Sequence, residues 1–379
     1  MKNKIKVIYS IATKIGSSGL GTVSCNAVKA LDEFNLLKKA ISYGNKCPID
    51  KSKIVSLPGN PAKLIFFLPK HYYRPLRKGF LDFITSKIIN TKGCDVFHGW
   101  NNQALRSIKS AKKIGAKTIL ECGSTHRFFR DRIINEEYEK YKISRQKSPD
   151  YAIKASLEEI ALADYIFVPS EFAKKTFIDA GVDENKIFII KRGVDIERFK
   201  PKKSDHKKFR VLFVGKVSLR KGIQYLLEAW KELNLKNAEL IVVGNIEDSI
   251  KPLLAKFSDL DNLIFKGYLK NIIEEYQQAT IFVFPSLEEG SAKVTYEAMA
   301  SGLPVITTEN SGSVIRDGID GFIIPAKDKE AIKEKIVYFY ENKEEIEKMG
   351  KNARENIKAY TWDKYKTNFI NIYRRIFSL

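Results

Sequence analysis

Short apolar runs alternate along the chain with longer amphipathic segments. Runs such as KIKVIYS, CDVFHG and DYIFVPS are apolar and rich in β-branched or aromatic residues, which is typical of strands buried on both faces. The segments between them, such as TVSCNAVKALDEF and YAIKASLEEIALA, repeat apolar residues at helical spacing. Strands that alternate with helices predict an α/β fold with parallel sheets.

The alternating pattern occurs twice. One series ends near KIFIIKRGVD, and a second opens at VLFVGK and continues through AELIVVGN, TIFVFPS, PVITT and GFIIPA. Residues 196–210 between them are polar and lysine-rich, which favours a linker. We therefore expect two Rossmann-like domains, 1–195 and 206–358, that face each other across a cleft. Residues 359–379 predict a final helix packed back on the first domain, because one apolar stripe recurs at helical spacing: Trp362, Phe369, Ile370, Tyr373 and Ile376.

The stretch FPSLEEGSAKVTYEAMASGLPVIT contains two spaced glutamates, Glu289 and Glu297. A strand pattern ends at Ser286 and a helix is predicted from about Ser291, so Glu289 precedes the helix and Glu297 lies within it. Ligands bind beyond the carboxyl ends of parallel strands, and unpaired amides at a helix N-terminus attract anions. Here these amides belong to Ser291, Ala292, Lys293 and Val294. We expect a phosphate at the amides and a sugar hydroxyl at each carboxylate; a capped helix with a solvated glutamate is the alternative.

Composition limits the class of protein. A chain of 379 residues with 44% hydrophobic residues is large enough for two packed cores. No apolar run reaches about 18 residues, and the N-terminus leads into a strand pattern without a signal-peptide core. The cysteines, Cys25, Cys47, Cys94 and Cys122, are far apart in the sequence and form no CxxC pair. We expect four reduced thiols in a cytoplasmic protein.

The positive charge is concentrated in the first part of the chain. Of a net charge of +21, residues 1–150 contribute 29 Lys and Arg against 11 Asp and Glu, whereas residues 151–379 contribute 37 against 34. This asymmetry favours an anionic partner for the first domain. A lysine-rich genome would explain the total charge better than its distribution. A nucleic-acid-binding protein is the alternative of a different class, but no reader helix or RNA-binding aromatic motif occurs, so we expect no nucleic-acid partner.

Residues 71–90, HYYRPLRKGFLDFITSKIIN, predict an amphipathic helix. Its apolar face consists of Leu76, Phe80, Phe83, Ile84 and Ile88. Basic residues flank this face: Arg74, Arg77, Lys78 and Lys87. The composition is that of an interfacial helix and predicts contact with an anionic acceptor or with the inner face of a membrane. The alternative is that the helix packs on its own sheet, and both can hold if only its basic edge is exposed.

An ordered set of motifs resembles a known family. The Glu289-x7-Glu297 pair lies in PSLEEG…YEAMASGLPVITT, and FVGKVSLRKGIQYLLEAW, ADYIFVPSEFAKKTF, RGVDIERFKP and DGIDGFIIPAKD are further matches. Over essentially its whole length the chain resembles the family-4 retaining glycosyltransferases of the GT-B fold. The resemblance implies sugar transfer from a nucleotide-sugar donor to an acceptor of a glycolipid, polysaccharide or other cell-surface glycan. It also implies retention of configuration, no metal or other cofactor, and an acceptor bound by the first domain.

The resemblance also implies roles for individual residues. Lys216 and Lys221 match the basic pair that clamps the donor diphosphate, with Lys216 where the family usually has arginine. Glu297 matches the ribose ligand, and Glu289 matches the catalytic carboxylate beside the transferred sugar. The remaining donor-binding positions are the amides of Ala292, Lys293 and Val294, the loop of Gly267 and Tyr268 near the base, nearby Gly244, and the glycine-rich loop at Gly16. The loop at Gly16 lacks GxGxxG spacing, and an ordinary strand–helix turn is its alternative.

The histidines leave two questions open. Many family members have a histidine directly after the strand that corresponds to TILEC, where this chain has Cys122. Either His126, four residues later, reaches the sugar as a catalytic residue, or no histidine does. His98 either enters the site or packs beneath it. A nucleotide-sugar epimerase or a sugar phosphorylase of the same fold is the alternative function, and the sequence leaves the donor base, the sugar and the acceptor undetermined.

Overall fold

The first seven strands form one parallel sheet. The computed structural model describes residues 5–57, 70–145, 147–202 and 208–378, and the side chains of residues 70–72 are excluded. The strands are β1 (Val7–Ile11), β2 (Leu37–Ser42), β3 (Ile54–Ser56), β4 (Val96–Trp100), β5 (Lys117–Glu121), β6 (Tyr165–Val168) and β7 (Ile187–Ile189). Their order is β3-β2-β1-β4-β5-β6-β7. The helices between them are α1 (Leu20–Glu33), α2 (Lys70–Lys92), α3 (Leu105–Lys113), α4 (Arg127–Lys140), α5 (Asp150–Leu162) and α6 (Glu171–Ile178).

A second parallel sheet follows in the rest of the described chain. Its strands are β8 (Phe209–Val214), β9 (Ala238–Val243), β10 (Leu263–Gly267), β11 (Ile281–Phe284), β12 (Val305–Thr308) and β13 (Gly321–Ile324), in the order β10-β9-β8-β11-β12-β13. The helices are α7 (Ile223–Leu233), α8 (Lys251–Leu254), α9 (Ile273–Gln278), α10 (Lys293–Ala300), α11 (Lys329–Glu341), α12 (Lys343–Ile357) and α13 (Trp362–Phe377). Both strand orders are of the Rossmann type, which confirms the predicted α/β fold. The predicted linker falls partly on residues 203–207, outside the described residues.

The two sheets reverse their strand order at equivalent places. In the first sheet β1 pairs with both β2 and β4, and in the second sheet β8 pairs with both β9 and β11. Such a reversal leaves a crevice at the carboxyl ends of the strands, where ligands bind in open α/β sheets. The loops after β8 and β11 contain the motif residues around Lys221 and Glu289.

The final helix α13 packs on the first domain, as its apolar stripe predicts. Phe369, Ile370 and Tyr373 are buried in the core that contains β1 and α1. Trp362 and Ile376 pack at the edge of this core. Tyr365, which was not part of the predicted stripe, is also buried there.

Helix α4 follows a strand of the first domain but packs in the core of the second. Ile133, Ile134 and Tyr138 belong to the same buried cluster as the second sheet. Glu137 is buried on α4 and accepts hydrogen bonds from Gln224, at 3.0 Å, and from the Tyr225 hydroxyl, at 2.9 Å. Helix α4 therefore joins the two domains.

Helix α2 divides its predicted apolar face between two environments. Ile84 and Ile88 pack against the core of the first sheet, whereas Leu76, Phe80 and Phe83 are 53%, 40% and 39% exposed. The helix therefore packs on its own sheet in part, and its contact with an anionic acceptor or a membrane stays a prediction. Among the described residues, no helix is long and apolar enough to cross a membrane.

The prediction of four reduced cysteines is wrong for one pair. Cys25 on α1 and Cys47, just after β2, form a disulfide with their Cα atoms 5.5 Å apart. They are 22 residues apart in sequence, and the β1–α1–β2 unit brings them together because α1 packs beside the end of β2. Cys94 and Cys122 are free thiols.

Candidate functional site

Lys221 reaches the first glutamate of the motif because two loops approach closely. The turn 219–221 after β8 ends at Gly222, which has φ +68°, and a Cβ there would lie 1.9 Å from the Pro285 carbonyl oxygen. Only glycine permits both this backbone conformation and this approach. The ammonium of Lys221 consequently forms an ion pair with the Glu289 carboxylate.

Burial changes the acidity of Lys221. Loss of hydration, and then the neighbouring Arg220 guanidinium, lower the pKa of Lys221 well below its ordinary value, while Glu288 opposes the shift. Arg220 lies 2.7 Å from Glu288 and 3.6 Å from Glu289. Two cations and two carboxylates thus alternate at the carboxyl end of the second sheet, between β8 and β11.

Lys216 is more exposed than Lys221. Its ammonium pairs with the Glu247 carboxylate, which also accepts a hydrogen bond from the Tyr138 hydroxyl of α4. More than half of the Lys216 side chain is open to solvent, at 56%. Lys216 is therefore an exposed, ion-paired cation at the edge of the interdomain contact.

The second glutamate of the motif is held between two partners. The Glu297 side chain is buried; one oxygen accepts from the Tyr276 hydroxyl at 3.1 Å, and the other pairs with the Lys293 ammonium at 2.7 Å. Lys293 lies four residues earlier on α10 and is 45% exposed. Glu289 and Glu297 are therefore both paired with lysines, on either side of the start of α10.

The start of α10 offers fewer free amides than predicted. The Ala292 amide donates to the Ser311 carbonyl at 2.8 Å, so this hydrogen bond does not fit the predicted contact of Ala292 with a phosphate. Lys293 and Val294 are the first residues of the helix, where N–H groups have no partner within the helix. The predicted anion site therefore loses the Ala292 amide and keeps the amides of Ser291, Lys293 and Val294.

Three glycines lie where β8, β9 and β10 end. The Gly244 amide donates to the Gly267 carbonyl at 2.8 Å. A Cβ on Gly244 would lie 1.8 Å from the Gly215 carbonyl oxygen, so a side chain there would force the ends of β8 and β9 apart. Tyr268 follows with 70% of its surface exposed, which leaves its ring available for a ligand.

A cavity of about 380 Å³ lies at the carboxyl ends of the first sheet and reaches the second domain. Its lining includes Thr13, Leu20, Trp100, Glu121, Gly123, Arg127 and Arg130 of the first domain and Arg220 of the second. Gly16 does not line this cavity; a Cβ on Gly16 would lie 3.0 Å from Lys46, so this glycine packs on the loop after β2. The glycine-rich loop contacts the cavity through Leu20 instead.

His126 does not line this cavity. Its side chain is buried between Phe128 and Phe177, whose ring centroids lie 5.0 and 5.1 Å away, and its Nδ1 accepts from the Phe128 amide as the N-cap of α4. Burial, and then Arg130, lower the pKa of His126 to about 4. The predicted catalytic role of His126 therefore has no support in its position.

Cys122 occupies the cavity wall instead of a histidine. Burial, followed by the charges of Glu159 and Glu121, raises the pKa of the Cys122 thiol well above its ordinary value. The thiol is consequently neutral. His98 is fully buried, with Nδ1 2.7 Å from the Tyr373 hydroxyl of α13, so it packs beneath the cavity.

A second cavity, of about 1020 Å³, lies between α2 and α5. Arg74 and Lys78 line it, whereas Lys87 of the same helix does not. Arg77 stacks over the Tyr43 ring, 4.2 Å from its centroid. The four predicted acceptor or membrane residues are therefore separated: Arg74 and Lys78 line the cavity, Arg77 lies on the partly buried Tyr43 ring, and Lys87 is exposed on the surface.

Sequence reasoning missed several residues of the site. Arg220 and Glu288 directly precede Lys221 and Glu289, and the doubled charges in LRKG and LEEG were the available signal. Ser124 and Thr125 donate hydrogen bonds to Glu288 from the first domain. No feature of the sequence predicts the contact of Ser124 and Thr125 with Glu288, because these residues are far apart in the chain.

Two protein-family models match the chain. The model described as Glycosyltransferase Family 4 matches residues 47–198, and the model described as Glycosyl transferases group 1 matches residues 194–356. The capsular polysaccharide biosynthesis glycosyltransferase CapM of Staphylococcus aureus is 30% identical over 239 residues, which are 57% of this chain and 63% of CapM. The chain thus spans less than two thirds of the length of this relative.

Solved structures show the same fold at low identity. Sucrose-phosphate synthase from Thermosynechococcus elongatus is similar with a TM-score of 0.73 at 18% identity, over 98% of this chain and 99% of that one. HepE of Anabaena, solved in complex with UDP and glucose, has a TM-score of 0.69 at 16% identity, over 99% and 100%. Because the two family models together extend over residues 47–356 and the two Rossmann-like domains match these structures, the chain belongs to the family-4 glycosyltransferases of the GT-B fold.

Proposed function

We propose that this protein transfers a sugar from a nucleotide-sugar donor to an acceptor, with retention of anomeric configuration, in the synthesis of a glycolipid, polysaccharide or other cell-surface glycan. The observation that most supports this function is the arrangement of Lys221–Glu289 and Lys293–Glu297 around the start of α10. The name of CapM and the UDP complex of HepE agree with it.

In this proposal the donor binds to the second domain. Lys216, Lys221 and the amides of Lys293 and Val294 would hold the diphosphate. Glu297 would accept hydrogen bonds from the ribose, and Glu289 from the transferred sugar. The base would lie against Tyr268, near Gly267 and Gly244. When the donor binds, the ammonium groups of Lys221 and Lys293 would pair with phosphate oxygens instead of with Glu289 and Glu297.

The same groups would neutralise the leaving diphosphate without a metal ion. Cations and helix amides that are already in place stabilise developing charge without reorganisation. We therefore expect transfer to continue in excess EDTA at an unchanged rate. A complete loss of activity that Mg²⁺ or Mn²⁺ restores would show that a metal ion neutralises the diphosphate instead.

A panel of nucleotide sugars tests the function directly. One nucleotide sugar of the panel should support transfer, with release of its nucleoside diphosphate. NMR of the product should show that the transferred sugar keeps the anomeric configuration it had in the donor. A nucleotide-sugar epimerase of the same fold would instead convert the donor without any acceptor. Release of a free epimer in the absence of acceptor would favour that alternative.

The acceptor would bind to the first domain. The larger cavity adjoins the smaller one, because Lys78, Asn102, Gln103 and Arg127 line both. The larger cavity also contains cationic and apolar side chains, which suit an acceptor with an anionic group beside a hydrocarbon or saccharide portion: Arg74, Leu76, Phe80, Arg106, Lys147 and Tyr151. Replacement of Arg106 by Gln should raise the acceptor KM and leave UDP binding unchanged; Lys109→Gln, on the same helix, is the control.

A further inference from the structure

Glu288 joins the two domains at the smaller cavity. It lies in the loop after β11, and its side chain is fully buried. Its Oε1 atom accepts hydrogen bonds from the Ser124 hydroxyl at 2.7 Å, the Thr125 hydroxyl at 2.6 Å and the Thr125 amide at 3.1 Å. Ser124 and Thr125 lie in the first domain, between β5 and α4. One carboxylate oxygen of the second domain therefore receives three hydrogen bonds from the first.

The other oxygen of Glu288 faces the cations of the proposed donor site. Arg220 Nε lies 2.7 Å from Oε2, and the same guanidinium lies 3.6 Å from Glu289. Burial alone would raise the pKa of Glu288, but Arg220 and the hydrogen bonds from Thr125 and Ser124 outweigh burial and hold the pKa below its ordinary value. Glu288 is thus an ionised carboxylate between the loop of Ser124 and Thr125 in the first domain and Arg220, the residue before Lys221.

The surrounding backbone leaves little room for the two loops to move independently. A Cβ on Gly290 would lie 2.3 Å from the Gly123 carbonyl oxygen. The Ser170 hydroxyl of the first domain donates to the Gly290 carbonyl at 2.6 Å. Gly123, Ser124 and Thr125 all line the smaller cavity. A displacement of Glu288 therefore moves the cavity wall.

We propose that Glu288 is a positioning residue that couples nucleotide binding in the second domain to the cavity wall of the first. A diphosphate beside Lys221 would add negative charge next to Arg220 and so alter the ion pair between Arg220 and Glu288. The hydrogen bonds that Ser124 and Thr125 donate to Glu288 would change with it. The inference rests on the proposed function for the identity of the ligand, a nucleoside diphosphate. The coupling itself rests on the three hydrogen bonds across the domain contact.

Deuterium exchange of the Thr125 amide tests the coupling without sugar transfer. Because this amide donates to the Glu288 carboxylate, Glu288→Ala should speed its exchange by at least about tenfold. Saturating UDP should slow the exchange in the wild-type protein and have no effect in Glu288→Ala. Thr118→Val is the matched control, because it removes a hydroxyl that is 2.7 Å from the Asp164 carboxylate in the same domain. This variant should respond to UDP as the wild type does.

Transfer kinetics distinguish positioning from a purely structural role. Ser124→Ala and Thr125→Val should each lower kcat about tenfold, leave the dissociation constant of UDP unchanged, and cause no further loss when Glu288 is already Ala. Additive losses, an unchanged kcat, or a UDP response that survives Glu288→Ala would overturn the inference. If UDP does not bind to the wild-type protein, the proposed function fails as well; if UDP binds and Thr125 exchange does not respond, only the coupling fails.

Discussion

At the residue scale, the site consists of ion pairs that exist before any ligand binds. Lys221 is paired with Glu289 and Lys293 with Glu297. Both carboxylates are largely shielded from water, with 16% and 4% of their side chains exposed. Replacement of one member of an ion pair would leave the other as a buried charge without a partner. The measured effect of each variant on activity therefore includes this penalty as well as the lost contact with the ligand.

Glu297→Ala and Lys221→Ala should each lower kcat/KM by two orders of magnitude or more. The loss of one charged hydrogen bond to the donor costs up to about 3 kcal/mol, which corresponds to a factor of about a hundred in rate. Melting curves should show that both variants remain folded. Glu355→Ala and Lys231→Ala, which remove exposed ion pairs of the same domain, are the controls, and near-normal turnover in either site variant would contradict the assignment.

His126 predicts a pH dependence of stability. In the folded protein its pKa is about 4, against an ordinary value of 6.5, mainly because the ring is buried. Between these values the unfolded chain binds the additional proton, so stability falls as the pH falls from 6.5 towards 4. We expect a contribution of about 1–2 kcal/mol after screening by solvent.

His126→Asn tests this pH dependence and the position of His126 together. Asparagine keeps a capping side chain for α4 but does not titrate, so urea unfolding should show a smaller stability loss between about pH 6.5 and about pH 4 than in the wild type. Transfer activity at neutral pH should stay within about threefold of the wild type. A hundredfold loss of transfer activity would instead support the catalytic role of His126.

At the element scale, two helices stabilise the contact between the domains. Helix α4 follows β5 of the first sheet and contributes Ile133, Ile134 and Tyr138 to the second core. Helix α13 follows the second domain and contributes Phe369 and Tyr373 to the first core. Because each helix is covalently linked to one domain and buried in the other, we expect the two domains to unfold together.

Removal of α13 should expose apolar surface on the first domain. Deletion of residues 359–379 should lower the melting temperature and increase dye binding, because the core of the first domain loses four fully or nearly fully buried side chains that pack in it: Tyr365, Phe369, Ile370 and Tyr373. As a milder change, Phe369→Ala should cost about 3–5 kcal/mol of unfolding free energy. Asn368→Ala, on the exposed face of the same helix, is the control. An unchanged melting profile after the deletion would contradict this account.

At the scale of the whole molecule, charge and exposed apolar surface coincide on the first domain. Residues 1–150 contain 29 Lys and Arg against 11 Asp and Glu. In the same region, Leu76, Phe80 and Phe83 are exposed on α2. This coincidence favours an anionic membrane surface or a lipid-linked acceptor next to α2.

Liposome sedimentation tests the membrane contact. Binding should require anionic lipid, fall as the salt concentration rises, and weaken by about two orders of magnitude when Arg74, Lys78 and Lys87 become Gln, at roughly 1 kcal/mol for each charge. Three lysines of the second domain changed to Gln, Lys333, Lys335 and Lys348, provide the matched control. Absence of binding at low salt would favour a soluble acceptor.

The sequence by itself determined the features that depend on local pattern. Apolar periodicity predicted the two strand–helix series and the stripe of α13, because burial of a strand or a helix face requires apolar residues at fixed intervals. The spacing of Glu289 and Glu297 about the start of α10 likewise follows from the short distance along the chain. Ordered motifs identified the family for the same reason, since each motif is contiguous.

Only the tertiary structure decided the features that depend on which segments meet. The Cys25–Cys47 disulfide, the docking of α4 in the second core and the hydrogen bonds of Glu288 join residues that are far apart in the chain. The hydrogen bond of the Ala292 amide to Ser311 and the capping role of His126 are equally set by neighbours. Neither the periodicity of apolar residues nor the spacing of motif residues encodes such contacts. A given side chain can form its hydrogen bond with any partner that the fold brings close enough.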